Sequence, residues 1–292
     1  MSCLILPNCS TLLSFWRKII KNIDLHVHSL HSDGTCSVAD IVRSAKKKGI
    51  SLLALTDHDT LDGWEEFRAS CEEHSIRPLS GIELSAKYNS TVHILGYRIA
   101  DFGKIGEALR WVRSRRAARN EIIISRLHEL GLSVTMEDVT KYAGTVVARP
   151  HFARALVALG YARDYQEAFT KYLARGAAAY APRDGLSPAD CVSVIRSAGG
   201  LAVLAHPSLT GLDEEGLVEL ILSLKNHGIW GIECLSSCCS SEKGLEYLAL
   251  AEKYSLFPTA GSDFHGSVRP TVSLGVQVTD DFLPWARLGV SF

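Results

Sequence analysis

Short apolar segments that end in a histidine or a carboxylate recur along this chain, and the recurrence restricts the fold more than any other feature. Asp24-Leu25-His26-Val27-His28 closes the first segment, Thr56-Asp57-His58-Asp59-Thr60 the second and Gly81-Ile82-Glu83-Leu84 the third. Val92-His93-Ile94 adds an imidazole, Ala205-His206-Pro207 ends a later segment, and Gly261-Ser262-Asp263-Phe264-His265-Gly266 ends the last. Open α/β sheets and (β/α) barrels build their sites at the carboxyl ends of their strands. The pattern therefore calls for strands whose polar ends gather at one mouth.

The intervening residues agree. Residues 23–27, 51–56 and 79–84 read as buried strands, and helical spacing of Val38, Ile41, Val42 and Ala45, with Gly49 as a stop, predicts a helix over 37–48. A second helix is expected over 61–71. Downstream the alternation resumes: helices over 186–198, 214–227 and 241–254 and strands over 201–205, 229–235 and 257–261. From 101 to 182 there is no strand signal, and helices are expected over 105–130, 135–143, 149–159 and 165–174. We read 23–100 and 183–292 as one α/β domain and 101–182 as a helical insertion capping it. Residues 1–22 read as an N-terminal extension, because Pro7 and Asn8 break the apolar run and the basic residues follow it, unlike a secretory signal.

Composition narrows the class. With 292 residues, 47% hydrophobic and 22% charged, the chain can bury a large core. Lys plus Arg is 31 against 32 for Asp plus Glu, so no global field recruits duplex nucleic acid or an anionic membrane. From Lys104 to Arg175 there are 13 Lys/Arg against 7 Asp/Glu, or +6, which leaves −7 elsewhere to reach −1. This is either a basic cap over an acidic body or a solvated helical surface. No apolar run approaches the roughly 20 residues of a membrane span. Eight cysteines without a CxxC pair suggest reduced thiols in the cytoplasm, and Cys234, Cys238 and Cys239 lack the usual zinc spacing.

The strand-end residues suit metal ions. In an extended chain His26 and His28 point to the same side, and Asp33 in the following turn supplies a hard oxygen. Six imidazoles (His26, His28, His58, His93, His206, His265) and three carboxylates (Asp33, Glu83, Asp263) exceed the roughly four ligands of one zinc, which implies two or three ions. Asp57, beside His58, reads as the partner that orients that imidazole. Asp59 reads as a cap for the following helix.

The motifs DLHVHSLHSDG, LTDHDT, GIELS, VHILGY, AHP and GSDFHG, in that order from Asp24 to Gly266, resemble those of the PHP (polymerase and histidinol phosphatase) superfamily of metal-dependent phosphoesterases. The resemblance implies a distorted (β/α)7 TIM-like barrel holding three divalent ions, manganese first, with iron or zinc as alternatives. It implies His26, His28, Glu83 and Asp263 around the first ion, Asp33, His58 and His265 around the second, and Glu83, His93 and His206 around the third. The insertion, with Ala148-Arg149-Pro150-His151-Phe152-Ala153-Arg154 and FTKYL at 169–173, is similar to the nucleoside 3',5'-bisphosphate phosphatase branch, also described as a 5'-to-3' exoribonuclease (ribonuclease AM). That similarity implies hydrolysis of a 3'-phosphate, or of short single-stranded RNA from its 5' end; clustered divalent ions lead us to expect a metal-bridging hydroxide as the nucleophile.

Arg149 is then expected to neutralise a second phosphate, or to pair with a surface carboxylate. His151 is a candidate substrate contact or proton donor, or a packing residue. Lys171 and Arg119 are candidates of the same kind. The LSSCCSS loop after Cys234 carries no basic residue for substrate. A histidinol-phosphate-type phosphatase and a non-catalytic metal-binding module are the alternative readings. No strand-end lysine suits the carbamate bridge of an amidohydrolase.

Overall fold

The computed structural model describes residues 20–182 and 184–290. The N-terminal extension thus lies outside the described residues except for 20–22, which open the first strand.

Eight strands form one sheet: β1 Ile20–Val27, β2 Leu52–Leu55, β3 Arg77–Ser85, β4 His93–Tyr97, β5 Leu201–Leu204, β6 Gly231–Ser236, β7 Phe257–Gly261 and β8 Val276–Thr279, in the order β7-β6-β5-β4-β3-β2-β1-β8. Phe264, just past β7, donates its N–H to His26 O and accepts the His28 N–H at 2.9 Å, so the seven strands β1 to β7 close into a barrel. Gly261 allows this closure, because a Cβ there would collide with the His26 side chain. β8 is an added strand, antiparallel to the first half of β1.

The alternation of strand and helix breaks once. β3 turns directly into β4 without a helix, so β4 runs antiparallel to both β3 and β5 while the remaining barrel neighbours are parallel. Its amino-terminal end therefore lies at the mouth where the parallel strands present their carboxyl ends. His93 reaches that mouth from the start of a strand, contrary to the carboxyl-end rule read from the sequence.

Helices α1 Val38–Lys47, α2 Trp64–Glu73, α7 Pro188–Ser197, α8 Glu214–Asn226 and α9 Ser241–Lys253 belong to the barrel. α1 has the expected apolar face, with Val38, Ile41, Val42 and Ala45 buried, and Ser37 caps its amino end by accepting the Asp40 N–H. Burying a side chain such as Ile41 or Val42 contributes about 1.5–3 kcal/mol. α7 opens with Pro188 and a capping box between Ser187 and Asp190. Inside the barrel Leu25, Leu95, Tyr97 and Val203 fill the floor beneath the mouth, and the Tyr97 hydroxyl donates to Leu25 O at 2.8 Å.

Between β4 and α7 lie α3 Phe102–Glu129, α4 Met136–Thr140, α5 Arg149–Ala158 and α6 Tyr165–Ala168, the last running into one π-helical turn, Phe169–Leu173. α4 is shorter than its expected span, and the helix expected over 165–174 is this α-to-π pair. These helices bury a core of their own, built on Ile123, Leu127, Phe152, Leu156 and Leu173.

Candidate active site

The mouth gathers all nine side chains singled out in the sequence around one carboxylate. Glu83 Oε1 lies 2.8 Å from His93 Nδ1 and 2.9 Å from His206 Nε2, while Oε2 lies 3.1 Å from His28 Nε2, 3.1 Å from His58 Nδ1 and 3.3 Å from His26 Nε2. Asp263 Oδ1 stands 3.4 Å from His26, His28 and His265. Asp33 faces His265 at 3.4 Å and His58 at 3.8 Å. The Glu83 carboxylate is wholly buried, as are His26 and His28.

Such a cluster suits cations. The ligand atoms of His26, His28 and Glu83 lie within 4.8 Å of one another, as do those of His28, Asp33, His58 and His265. His206 groups with His26 and Asp263, and His93 with His58 and Glu83, so the third set implied by the resemblance is divided between two neighbours. His26 Nε2, His28 Nε2 and His206 Nδ1 are buried and make no hydrogen bond. Buried polar atoms of this kind are costly unless something satisfies them, and divalent ions among neutral imidazole and carboxylate donors would do so. The residues fit the metals.

Electrostatics agrees. Burial opposes charge on Glu83 and Asp263, yet the surrounding imidazoles hold both well below the usual carboxylate range. Burial likewise opposes protonation of His28, but the Asp263, Glu83 and Asp33 carboxylates outweigh it and raise its pKa to about 9. At His58 burial prevails and lowers the pKa to about 3. Proton and metal therefore compete for the same nitrogens.

A second layer of residues fixes these rings. Glu233, on β6, places Oε1 3.0 Å from His26 Nδ1 and accepts the main-chain N–H of His206 at 2.7 Å through Oε2. Sequence reading missed it, although a lone glutamate inside the apolar run Gly231–Leu235 was the available signal. Asp24 accepts from the Ser262 hydroxyl at 2.5 Å and the Ser262 and Gly275 N–H groups at 2.8 Å, which ties β1 to the loop that carries Asp263. His265 Nδ1 donates to Asp263 O at 2.8 Å and leaves Nε2 for a ligand role. Asp59, His206 and Asp263 all have positive φ, so backbone strain gathers at the mouth.

Several expectations need correction. Asp57 does not touch His58. Its carboxylate accepts from Ser29 N, Ser29 Oγ and Ser32 Oγ at 2.5–2.8 Å, and Ser32 Oγ lies 3.4 Å from His28 Nδ1, so Asp57 supports the loop bearing Asp33 and, through Ser32, the ring of His28. His58 Nδ1 has Ser85 Oγ at 3.3 Å instead. Nor is Asp59 a helix cap: it is buried, accepts the Ser85 N–H at 3.0 Å and forms an ion pair with Arg116 of α3. His151 is wholly buried and uses Nδ1 to accept the Ala148 N–H at 2.9 Å at the start of α5. Burial lowers its pKa to about 4, so near neutrality it is a neutral imidazole with its one proton on the buried Nε2, not an imidazolium acid. Lys171 is exposed and lies over Tyr172, outside the cleft.

A cleft of about 430 Å³ opens between the insertion and the mouth, with Asp33, His58, His93 and His265 on its floor. Arg116, Arg119, Arg149 and Arg269 line it. Arg149 donates to Leu173 O at 3.2 Å and lies about 6 Å from the ring centres of Phe169 and Tyr180, not beside a surface carboxylate. Arg269 pairs with Asp263 and stands 3.9 Å from Cys238 Sγ, which brings a cation to the loop that has none of its own. Neither Arg116 nor Arg269 was identified from sequence.

Known proteins carry the same architecture. The PHP domain pattern matches residues 24–178. A 3',5'-nucleoside bisphosphate phosphatase of Chromobacterium violaceum is 33% identical over 248 residues, covering 84% of this chain and 87% of that one. The 5'-3' exoribonuclease Rnm of Escherichia coli is 32% identical over 272 residues, covering 91% and 90%. A solved structure from Chromobacterium violaceum, described as an amidohydrolase with bound sulfate and no metal, superposes with a TM-score of 0.83 at 31% identity and covers 91% of this chain and 95% of its own. With that barrel, that ligand cluster and relatives that cleave phosphate esters, the chain belongs to the PHP domain family and is a metal-dependent phosphoesterase.

Proposed function

We propose that the protein hydrolyses the 3'-phosphate of nucleoside 3',5'-bisphosphates and removes nucleotides from the 5' end of short single-stranded RNA. One observation carries this reading: four guanidinium groups line a cleft whose floor is the ligand cluster, and while Arg116 and Arg269 each pair with a carboxylate, Arg149 has aromatic rings beside it and is placed for a second phosphate. The names of two relatives, a nucleoside bisphosphate phosphatase and a 5'-3' exoribonuclease, point the same way.

Three divalent ions, manganese in this proposal, would be held by His26, His28, Glu83 and Asp263, by Asp33, His58 and His265, and by His93 and His206 with Glu83. When bound, such ions supply Lewis acidity toward phosphoryl oxygens and lower the pKa of water. The chain's own residues do the rest. Arg116, held by Asp59, and Arg269, held by Asp263, neutralise the oxygens of the phosphate under attack. Arg149, farther out between Phe169 and Tyr180, binds the second phosphate through a planar, permanently charged donor fork. Asp57 and Glu233 keep ligand rings in the tautomer that offers a lone pair to the cluster. The insertion covers the cleft as a substrate cap and limits water.

We place the enzyme in the cytoplasm. The free thiols of Cys36, Cys71, Cys191, Cys234, Cys238 and Cys239 suit a reducing compartment, and no helix among the described residues is long and apolar enough to cross a membrane. Phosphate release from adenosine 3',5'-bisphosphate by chelator-stripped protein, before and after manganese is restored, tests the reading. Manganese-dependent release is expected; no release from protein that has rebound metal would overturn it.

A further inference from the structure

Two sets of aromatic rings in the insertion differ in placement. Phe152 and Tyr172 are buried in its core. Tyr165, Phe169 and Tyr180 are half-buried and line the cleft, with Tyr165 and Phe169 packed on the edge of that core. Their ring centres are 4.9 Å apart. Phe169 also begins the π-helical turn, closed by the Ala174 N–H donating to Phe169 O at 2.7 Å, and such turns are frequent at functional sites.

The chemistry of this wall is that of a stacking surface. Its polar side chains, Gln166 and Thr170, are uncharged and within hydrogen-bond distance of each other at 3.3 Å. Asp33, on the floor, is the one carboxylate lining the cleft among the described residues. Gln166 is the one side-chain amide on this wall among the described residues and its Nε2 is turned to Thr170, so the rings are the larger surface offered to a base, and every base has a π-face. The Arg149 guanidinium lies 6.0 Å from the Phe169 ring centre, so a cation for a phosphate and a ring for a base are adjacent.

We propose that Phe169, backed by Tyr165, is the platform on which the substrate's nucleobase stacks, and that it selects for a planar base without choosing among bases. This deepens the nucleotide reading above and rests on it. Calorimetric titration of the manganese-loaded protein with adenosine 5'-phosphate, cytidine 5'-phosphate and ribose 5-phosphate tests it. Both nucleotides should bind at least about ten-fold more tightly than the sugar phosphate, since stacking on an aromatic side chain typically contributes that much. Their own affinities should lie within a few-fold of each other.

Phe169→Leu, which keeps apolar volume and loses the ring, should reduce the advantage of nucleotide over sugar phosphate about ten-fold, and Phe169→Tyr should restore it. An advantage that survives Phe169→Leu, or one that differs more than ten-fold between adenine and cytosine, would overturn the proposal. Phosphate release from adenosine 3',5'-bisphosphate by the wild-type protein, measured in parallel, keeps the two readings apart. Release without a base advantage overturns the platform alone, and a base advantage without release overturns the phosphatase reading alone.

Discussion

Glu233 Oε1 and His26 Nδ1 lie 3.0 Å apart with both side chains wholly buried, which fixes the imidazole so that Nε2 faces Glu83 and Asp263. Outer carboxylates of this kind raise ligand basicity and orient the ring, and losing one typically costs about 10–100-fold in metal affinity. Glu233→Gln preserves shape and removes the charge. We expect weaker metal retention by that factor, read by competition with a chromogenic chelator; unchanged affinity would deny Glu233 this role.

Acidity should oppose loading. The folded pKa of His28, about 9, exceeds the ordinary histidine value of about 6.5, so before metal binds its proton contributes stability that is fully present below about 6.5. That contribution is lost as pH rises through about 9. Chelator-treated protein should therefore melt at lower temperature as pH rises across this window. Manganese addition at pH 7 should release protons, measurable in weakly buffered solution.

Asp59 and Arg116 form a buried ion pair that joins the barrel to α3. Asp59→Ala leaves a buried guanidinium without its counter-charge, a change that costs about 3–5 kcal/mol. Thermal unfolding should shift down by on the order of 10 °C. A shift of only a degree or two would mean that water already screens the pair.

Asp57→Ala removes the acceptor of three donors in the loop that carries Asp33. Each buried donor left unsatisfied costs about 1–3 kcal/mol. The variant should retain less metal as well as less stability. Elemental analysis after gel filtration checks this, and full metal content would confine Asp57 to a role in folding.

Arg149→Ala should raise KM for a nucleoside 3',5'-bisphosphate about ten-fold or more relative to its effect on a simple monophosphate ester, because a charge-assisted contact to the second phosphate is lost. Equal changes in the two KM values would assign the residue to packing between Phe169 and Tyr180.

Much of this was legible in the chain itself. Short buried apolar runs identified six of the seven barrel strands, helical spacing identified α1, and polar residues at the ends of those runs, with Asp33 in a turn and His93 in a segment not read as a strand, marked all nine members of the cluster. Those signals are local, so sequence carries them. What the tertiary structure alone decided depends on residues brought together across long separations. Arg116 meets Asp59 across 57 positions and Glu233 meets His26 across 207. The direction of β4 was hidden for a related reason, since an apolar run reads the same in both senses and only pairing with β3 and β5 sets its orientation. Asp57 and Asp59 flank His58 in sequence, yet all three lie past the end of β2 and Asp59 has a positive φ, so strand alternation does not set where their side chains point. One supports the Asp33 loop and the other holds Arg116, because packing, not adjacency in the chain, selects a buried carboxylate's partner.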